Sequence, residues 1–328
     1  MQFHEIGREA RNLYASFIES VDEYRPALWR FCMKLTSNVW DAEDLLQETL
    51  MKAFVAMGQI KHPIMPKSYL FRIASNAWID HQRKVRPDAV YDSQVHDVRA
   101  VDWGDRGDRR LEVIEGIEVL LRSLTPRQAV VMLLVDVFDF TANEVGEMMQ
   151  MTGGAVQTMV SRARAKLRSL SSEQSPDGGS AAQSKSRERF ELLVLRYVDA
   201  IHQQDIDGLM DLYAEHAEIH FLNAGIVRGH DLIRNTYDWS IYPDAYRTEF
   251  RWIWGQPALL TIAIRGDAES LWRVQRPEFE DGQVVREKNY AFCKEVMLAV
   301  SHEIGLPVDP ETRKDYEQVW KALLYCPN

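Results

Sequence analysis

Three cysteines in 328 residues, Cys32, Cys293 and Cys326, are too few and too far apart for a disulfide framework or a cysteine-rich zinc site. That scarcity fits a reducing compartment. Apolar runs are short, and none approaches the roughly 18 residues of a membrane span. The first residues, MQFHEIGREARN, lack the apolar centre of a signal peptide, so a cytoplasmic chain is expected. Positive charge is sparse in the second half. Residues 1–172 hold 22 Lys+Arg against 23 Asp+Glu, and residues 173–328 hold 17 against 26, a net charge of −9. An acidic half is a poor nucleic-acid binder and can shield a basic surface elsewhere.

The stretch Leu124–Leu170 is the most informative. Thr125 and Pro126 open a helix as cap and first-turn residue. Thr141 with Glu144 three residues on is a capping box that starts a second, shorter helix through Met149. Thr152-Gly153-Gly154 is a turn signal, and a third helix runs from about Ala155 to Leu170 with Arg162, Arg164, Lys166 and Arg168. Two short helices joined by a tight turn, the second ending in basic residues, form the helix-turn-helix pattern. Val145, Met149, Met151, Val156 and Met159 are its expected core. Gln157, Thr158, Ser161 and Arg162 face outward, and all four can hydrogen-bond base edges or phosphates. Gln150 stands where such turns usually carry glycine. The bland alternative is a helical hairpin with a solvated basic end.

Upstream, the spacing predicts a helix over Phe17–Thr36, a break at Ser37–Asp41 with Asp41 as cap, and a second helix, DAEDLLQETLMKAFVAM. Acidic residues crowd the first turns of this second helix, where the helix dipole favours them and where a partner could equally dock. After a loop over Ile60–Pro66 comes KSYLFRIASNAWIDHQRKVR, amphipathic and basic, with Tyr69, Phe71 and Trp78 interleaved. Cations beside aromatics suit single-stranded nucleic acid. For Phe71 and Trp78 a place in the core is the better reading.

DAEDLLQETLMKAF followed by YLFRIASNAWIDHQRK resembles region 2 of bacterial extracytoplasmic-function (group IV) sigma factors of the sigma-70 family, and Leu124–Leu170 resembles their region 4. The resemblance implies a polymerase-binding face at Asp41, Glu43, Asp44, Gln47, Glu48 and Phe54. It implies −10 contacts from Asn76, Asp80 and Arg83, and −35 contacts from Gln157, Thr158, Met159, Ser161 and Arg162. Met159 stands where many relatives carry a basic residue, so promoter preference does not transfer. The implied partners are core RNA polymerase, through the clamp helices of β′ and the β flap, and promoter DNA, with no membrane.

Pro87–Arg110 is a polar, Asp-rich linker, and Leu111–Leu124 reads as a first helix of the second module. Residues 169–186 are a Ser/Gly/Gln-rich tether. Beyond it come a long helix (Arg187–Gln204), a short one (Asp205–Tyr213), paired strands AEIHFL and GIVRG, a helix at His230–Trp239, and strands at Thr248–Trp254, Ala258–Arg265, Ser270–Val274 and Gln283–Tyr290. Helices before and within antiparallel strands indicate an α+β domain. The order, with DGQVVREKNYAFCKEVMLAVSHEIGLP, resembles the SnoaL-like cone domains appended to some sigma factors. That fold often encloses a pocket, and Tyr213, His220, Asp238 and Arg273 are its candidate polar groups, with a small molecule as a possible ligand.

The expected architecture is therefore multidomain: two all-α sigma modules and an α+β SnoaL-like cone. Its boundaries are 1–86 (region 2), 87–110 (linker), 111–170 (region 4), 171–186 (tether) and 187–328 (regulatory domain). The expected function is to direct core RNA polymerase to promoters, regulated in cis by the C-terminal domain. The alternative is a helix-turn-helix regulator fused to a small-molecule-binding or isomerase-type domain. No catalytic residue, cofactor or metal is expected. His216 and His220 lie four apart without a third ligand in view.

Overall fold

In a computed structural model, residues 3–58, 66–85, 123–170, 184–237 and 239–312 are described. The chain divides into two compact units, Met1–Pro176 and Asp177–Asn328. The linker at 87–110, the helix expected at 111–122, most of the loop at 60–66 and most of the tether lie outside the described residues.

The described residues of the N-terminal unit form helices and the turns between them. Its first part holds α1 (Phe3–Val21), α2 (Arg25–Thr36), α3 (Val39–Met57) and α4 (Pro66–Val85). The single helix expected over 17–36 is two. A 3-10 turn at Asp22–Tyr24 separates them, because Pro26 lacks an N–H and sits where a new helix starts. The cap of α3 is Asn38 rather than Asp41. Its Oδ1 accepts from the N–H groups of Trp40 at 2.9 Å and Asp41 at 3.3 Å, after Ser37 has turned the chain through the left-handed region.

The second part holds α5 (Pro126–Asp136), α6 (Ala142–Met149) and α7 (Gly153–Leu170). Thr125 with Gln128 and Thr141 with Glu144 both close capping boxes. The two parts share one apolar core. Its seam is four phenylalanines: Phe31 and Phe71 from the first part, Phe138 and Phe140 from the second. Ring centroids lie 5.0 Å apart for Phe31–Phe71, 5.3 Å for Phe31–Phe138 and Phe71–Phe138, and 5.1 Å for Phe71–Phe140.

The C-terminal unit is α+β. Helices α8 (Ser184–Gln203), α9 (Ile206–Met210), α10 (His230–Thr236) and α11 (Lys294–Ile304) accompany one sheet. Its strands are β1 (Tyr213–Phe221), β2 (Gly225–Arg228), β3 (Tyr246–Ile253), β4 (Gln256–Arg265), β5 (Ala268–Glu280) and β6 (Gln283–Asn289), in the order β2-β1-β6-β5-β4-β3. The sheet is mixed, since β1 and β6 pair in parallel and every other pair is antiparallel. Strand β5 runs well past Val274, and α11 follows the last expected strand, where no helix was assigned from the sequence.

Candidate nucleic-acid interface and its neighbours

The helix-turn-helix is built from its core outward. Val145 and Val156 are fully buried, Met149 nearly so, and Met151 and Met159 pack half-buried against them. Met159 is thus split between core and surface, while Gln157, Thr158, Ser161 and Arg162 are exposed on α7. The Thr158 hydroxyl donates to the Gly154 carbonyl at 2.9 Å. Arg164, on the same helix, is bound to Asp136 through two hydrogen bonds of 3.1 and 2.5 Å and braces α7 against α5.

Two residues make the tight turn. Gln150 adopts the left-handed conformation, φ 53°, which normally favours glycine. Gly146, which the sequence pattern did not single out, is where α6 meets the turn: a Cβ there would lie 2.6 Å from the Met151 carbonyl oxygen. A glycine inside the amphipathic run NEVGEMM was the readable signal.

On α4, Asn76, Asp80 and Arg83 are exposed along one face, with Arg83 3.4 Å from Asp80. Phe71, Trp78 and Tyr69 are buried. These three −10 candidates line a cleft of about 650 Å³ with Lys52, Tyr69 and Arg72, closed on its other side by Arg127 and Met148–Gln150 of the second helical part.

The expected polymerase face on α3 divides. Asp41 is exposed, and Asp44, Gln47 and Glu48 are half-exposed. Glu43 is fully buried: it takes the Arg25 guanidinium at 2.9 Å and the Gln47 amide at 2.6 Å, so it holds α2 to α3 and offers nothing to a partner. Phe54 packs edge-on to Tyr14 at 5.2 Å and beside Phe17 at 5.6 Å, which makes it part of the contact with α1. Exposed instead are Met51 and Val55, one turn apart, at 50% and 62%. Apolar residues breaking the polar side of an otherwise amphipathic helix were the available signal.

The proposed polar pocket of the C-terminal unit also divides. Tyr213 joins Tyr197, Tyr237 and Glu287 in a buried cluster in which all three phenols donate to one carboxylate oxygen, Tyr197 at 2.5 Å and Tyr237 at 3.0 Å. The Gln275 amide donates to the other oxygen at 2.5 Å. Burial first, and the Glu287 charge second, push all three phenols well above their ordinary range, so they remain protonated donors. Arg273 is buried, donates to the Tyr242 hydroxyl and lies 4.8 Å over the Tyr242 ring. His220 does not join them. Ile219 and Phe221 on either side of it face the core, so strand alternation turns His220 outward to Glu218 at 2.7 Å. Asp238 lies outside the described residues. Histidines 216 and 220 both lie on strand β1, and among the described residues no group of three metal-binding side chains forms.

A helical DNA-binding unit with a helix-turn-helix, joined to an α+β domain built around a mixed six-stranded sheet, defines the class. Family models agree with each part: sigma-70 region 2 over residues 21–87, sigma-70 region 4 over 114–167 and a SnoaL-like domain over 194–287. The chain belongs to the extracytoplasmic-function group of the sigma-70 family and carries a C-terminal SnoaL-like domain.

It is 28% identical over 240 residues to the sigma factor SigG of Mycobacterium tuberculosis, covering 64% of this chain and 63% of that protein. To SigW of Bacillus subtilis it is 26% identical over 163 residues, covering 47% of this chain and 87% of that one. Among solved structures, the M. tuberculosis sigma factor SigJ aligns over 83% of this chain and 95% of its own, at 19% identity and a TM-score of 0.32.

Proposed function

We propose that the protein is a transcription initiation factor that joins core RNA polymerase in the cytoplasm and directs it to promoters, its C-terminal domain acting in cis. The carrying observation is the split of α7, with Val156 locked in the core and Gln157, Thr158, Ser161 and Arg162 exposed on the opposite face. Such a helix presents hydrogen-bonding side chains to a major groove. The half of the cleft contributed by α4, with Asn76, Asp80 and Arg83, contacts the −10 element. Asp41, Asp44 and Glu48, continued by Met51 and Val55, form the polymerase-docking face.

The domain beyond the tether is read as a regulator without catalysis. Its buried phenols hold their protons, and the histidine once placed in its pocket is paired on the outer face of the sheet. Run-off transcription with core polymerase, comparing the full chain with one ending at Leu170, is the test. A promoter-dependent transcript from either form is expected, differing in yield between them. No transcript from either would end the promoter-directing reading, and equal yields would end the regulatory one.

A further inference from the structure

The cleft between the two helical parts holds more donors and positive charge than the chain itself satisfies. Lys52, Arg72, Arg83 and Arg127 line it; Lys52 is paired with Glu48 at 2.6 Å and Arg83 with Asp80 at 3.4 Å, which leaves Arg72 and Arg127 without a carboxylate among the described residues. Arg127 sends one guanidinium nitrogen to the Met149 carbonyl. Its Nε is buried and, among the described residues, has no hydrogen-bond partner. The same is true of the Tyr69 hydroxyl, on a side chain only 8% exposed that lines the same cleft. Arg72 lies 5.4 Å over the Tyr69 ring and holds that ring in place. Two buried donors without acceptors carry a cost that an anionic oxygen would relieve. The volume falls within the roughly 300–1,000 Å³ of small-molecule sites.

We propose that this cleft binds a free nucleotide, its phosphates held by Arg127 and the Tyr69 hydroxyl, its base between Arg72 and the Met148–Met149 edge. Charge, donors and a flat guanidinium plane are what a phosphorylated base requires. Because Arg127 belongs to the second part and Tyr69 to the first, the ligand bridges the two and favours the state in which they are packed. The site depends on that packing and not on the promoter-directing function. Nucleotide binding could therefore be intact in a protein that yields no transcript, and absent in one that does.

A single strand of DNA offers the same phosphates, and the test separates the two sources. GTP and ATP are titrated calorimetrically into the full chain, and a single-stranded deoxyoligonucleotide is titrated into its complex with core polymerase. One nucleotide per chain is expected, weakened about tenfold by Tyr69→Phe, which removes only the hydroxyl, and at least as much by Arg127→Gln. Circular dichroism establishes that each variant is folded. Arg127→Gln is expected to leave oligonucleotide capture in the polymerase complex unchanged, since the proposed −10 contacts Asn76, Asp80 and Arg83 lie on α4 and Arg127 lies on α5. No heat of binding at millimolar nucleotide overturns the proposal. So does nucleotide binding that both variants retain, or a fall in oligonucleotide capture equal to the fall in nucleotide affinity, which would make the cleft a DNA site only.

Discussion

At the scale of single residues the helix-turn-helix rests on a missing methyl group. A Cβ on Gly146 would lie 2.6 Å from one backbone oxygen and 3.3 Å from the Gly153 nitrogen, and backbone cannot step aside as a flexible side chain can. Gly146→Ala is therefore expected to swing α7 away from α6 and to cost about 1–3 kcal/mol, the range of overpacked cores. Urea unfolding measures the loss, and a midpoint equal to the parent's would show that the turn has slack. Arg162 acts on the outer side of the same motif, exposed and available to DNA. Arg162→Ala should leave stability unchanged yet weaken promoter binding by about 1–3 kcal/mol if it meets a base, or lower the salt slope by about one if it meets a phosphate. Fluorescence anisotropy of the polymerase complex at several salt concentrations distinguishes these. If neither quantity moves, the reading face lies elsewhere.

At the scale of elements, two polar devices hold the helices and the sheet. The capping box of α6 is ionic: the Glu144 carboxylate accepts the Thr141 N–H at 2.7 Å and its hydroxyl at 2.8 Å. The backbone bond first, and the hydroxyl second, hold this carboxyl below its ordinary 4.5. A carboxyl depressed on folding contributes stability that is fully present above that ordinary value and fades as pH falls through the lower, folded one. Thr141→Ala should cost about 1 kcal/mol near neutral pH. It should also move the Glu144 titration, followed by NMR, part of the way toward 4.5, because the backbone N–H stays while the hydroxyl is lost, and an unmoved titration would exclude the hydroxyl as a cause.

In the sheet unit the equivalent device is Glu287, the acceptor that joins α8, β1, β5 and the end of α10 through Tyr197, Tyr213, Gln275 and Tyr237. Glu287→Ala would remove the shared acceptor of four buried donors, leaving the three phenols only one another at 2.5–3.1 Å, and is expected to cost about 3 kcal/mol, Glu287→Gln less because one acceptor oxygen remains. Thermal unfolding of the full chain reads this in the C-terminal transition, and an Ala variant as stable as the parent would mean the cluster is ornamental. None of this was legible beforehand, and the reason is local. Counting alternately from buried Val284 puts Arg286 and Lys288 inside and Glu287 outside. The register of β6 against both neighbours shifts after Val284, so the phase reverses and Glu287 turns inward. Helix faces suffered less: the Thr125 cap, the Thr141–Glu144 capping box and the core positions Val145 and Val156 followed directly from spacing. Glu43 did not, because its burial depends on Arg25 eighteen residues away, a partner that no local pattern names.

At the scale of the N-terminal unit, the packing of its two parts conflicts with their joint use. The −10 and −35 elements are about 25 base pairs apart, or roughly 85 Å of duplex at about 3.4 Å per pair. A compact unit of some 176 residues has a radius of gyration of about 16 Å, hence a diameter near 40 Å, so its two reading faces cannot span that distance while packed. Under the proposed function the seam therefore opens on polymerase. What opposes opening is apolar, Phe31 and Phe71 against Phe138 and Phe140, each ring worth about 1.5–3 kcal/mol when buried. Phe138, half-buried and touching both rings of the first part, can be truncated with least harm to the helix-turn-helix core. With a donor on α3 and an acceptor on α7, energy transfer should be high in the free chain and fall on addition of core polymerase. Phe138→Ala should lower it in the free chain and raise apparent polymerase affinity by the free energy no longer spent on opening. Transfer that stays high in the complex would mean that the two parts remain packed while promoter DNA is read, and would overturn the opening of the seam.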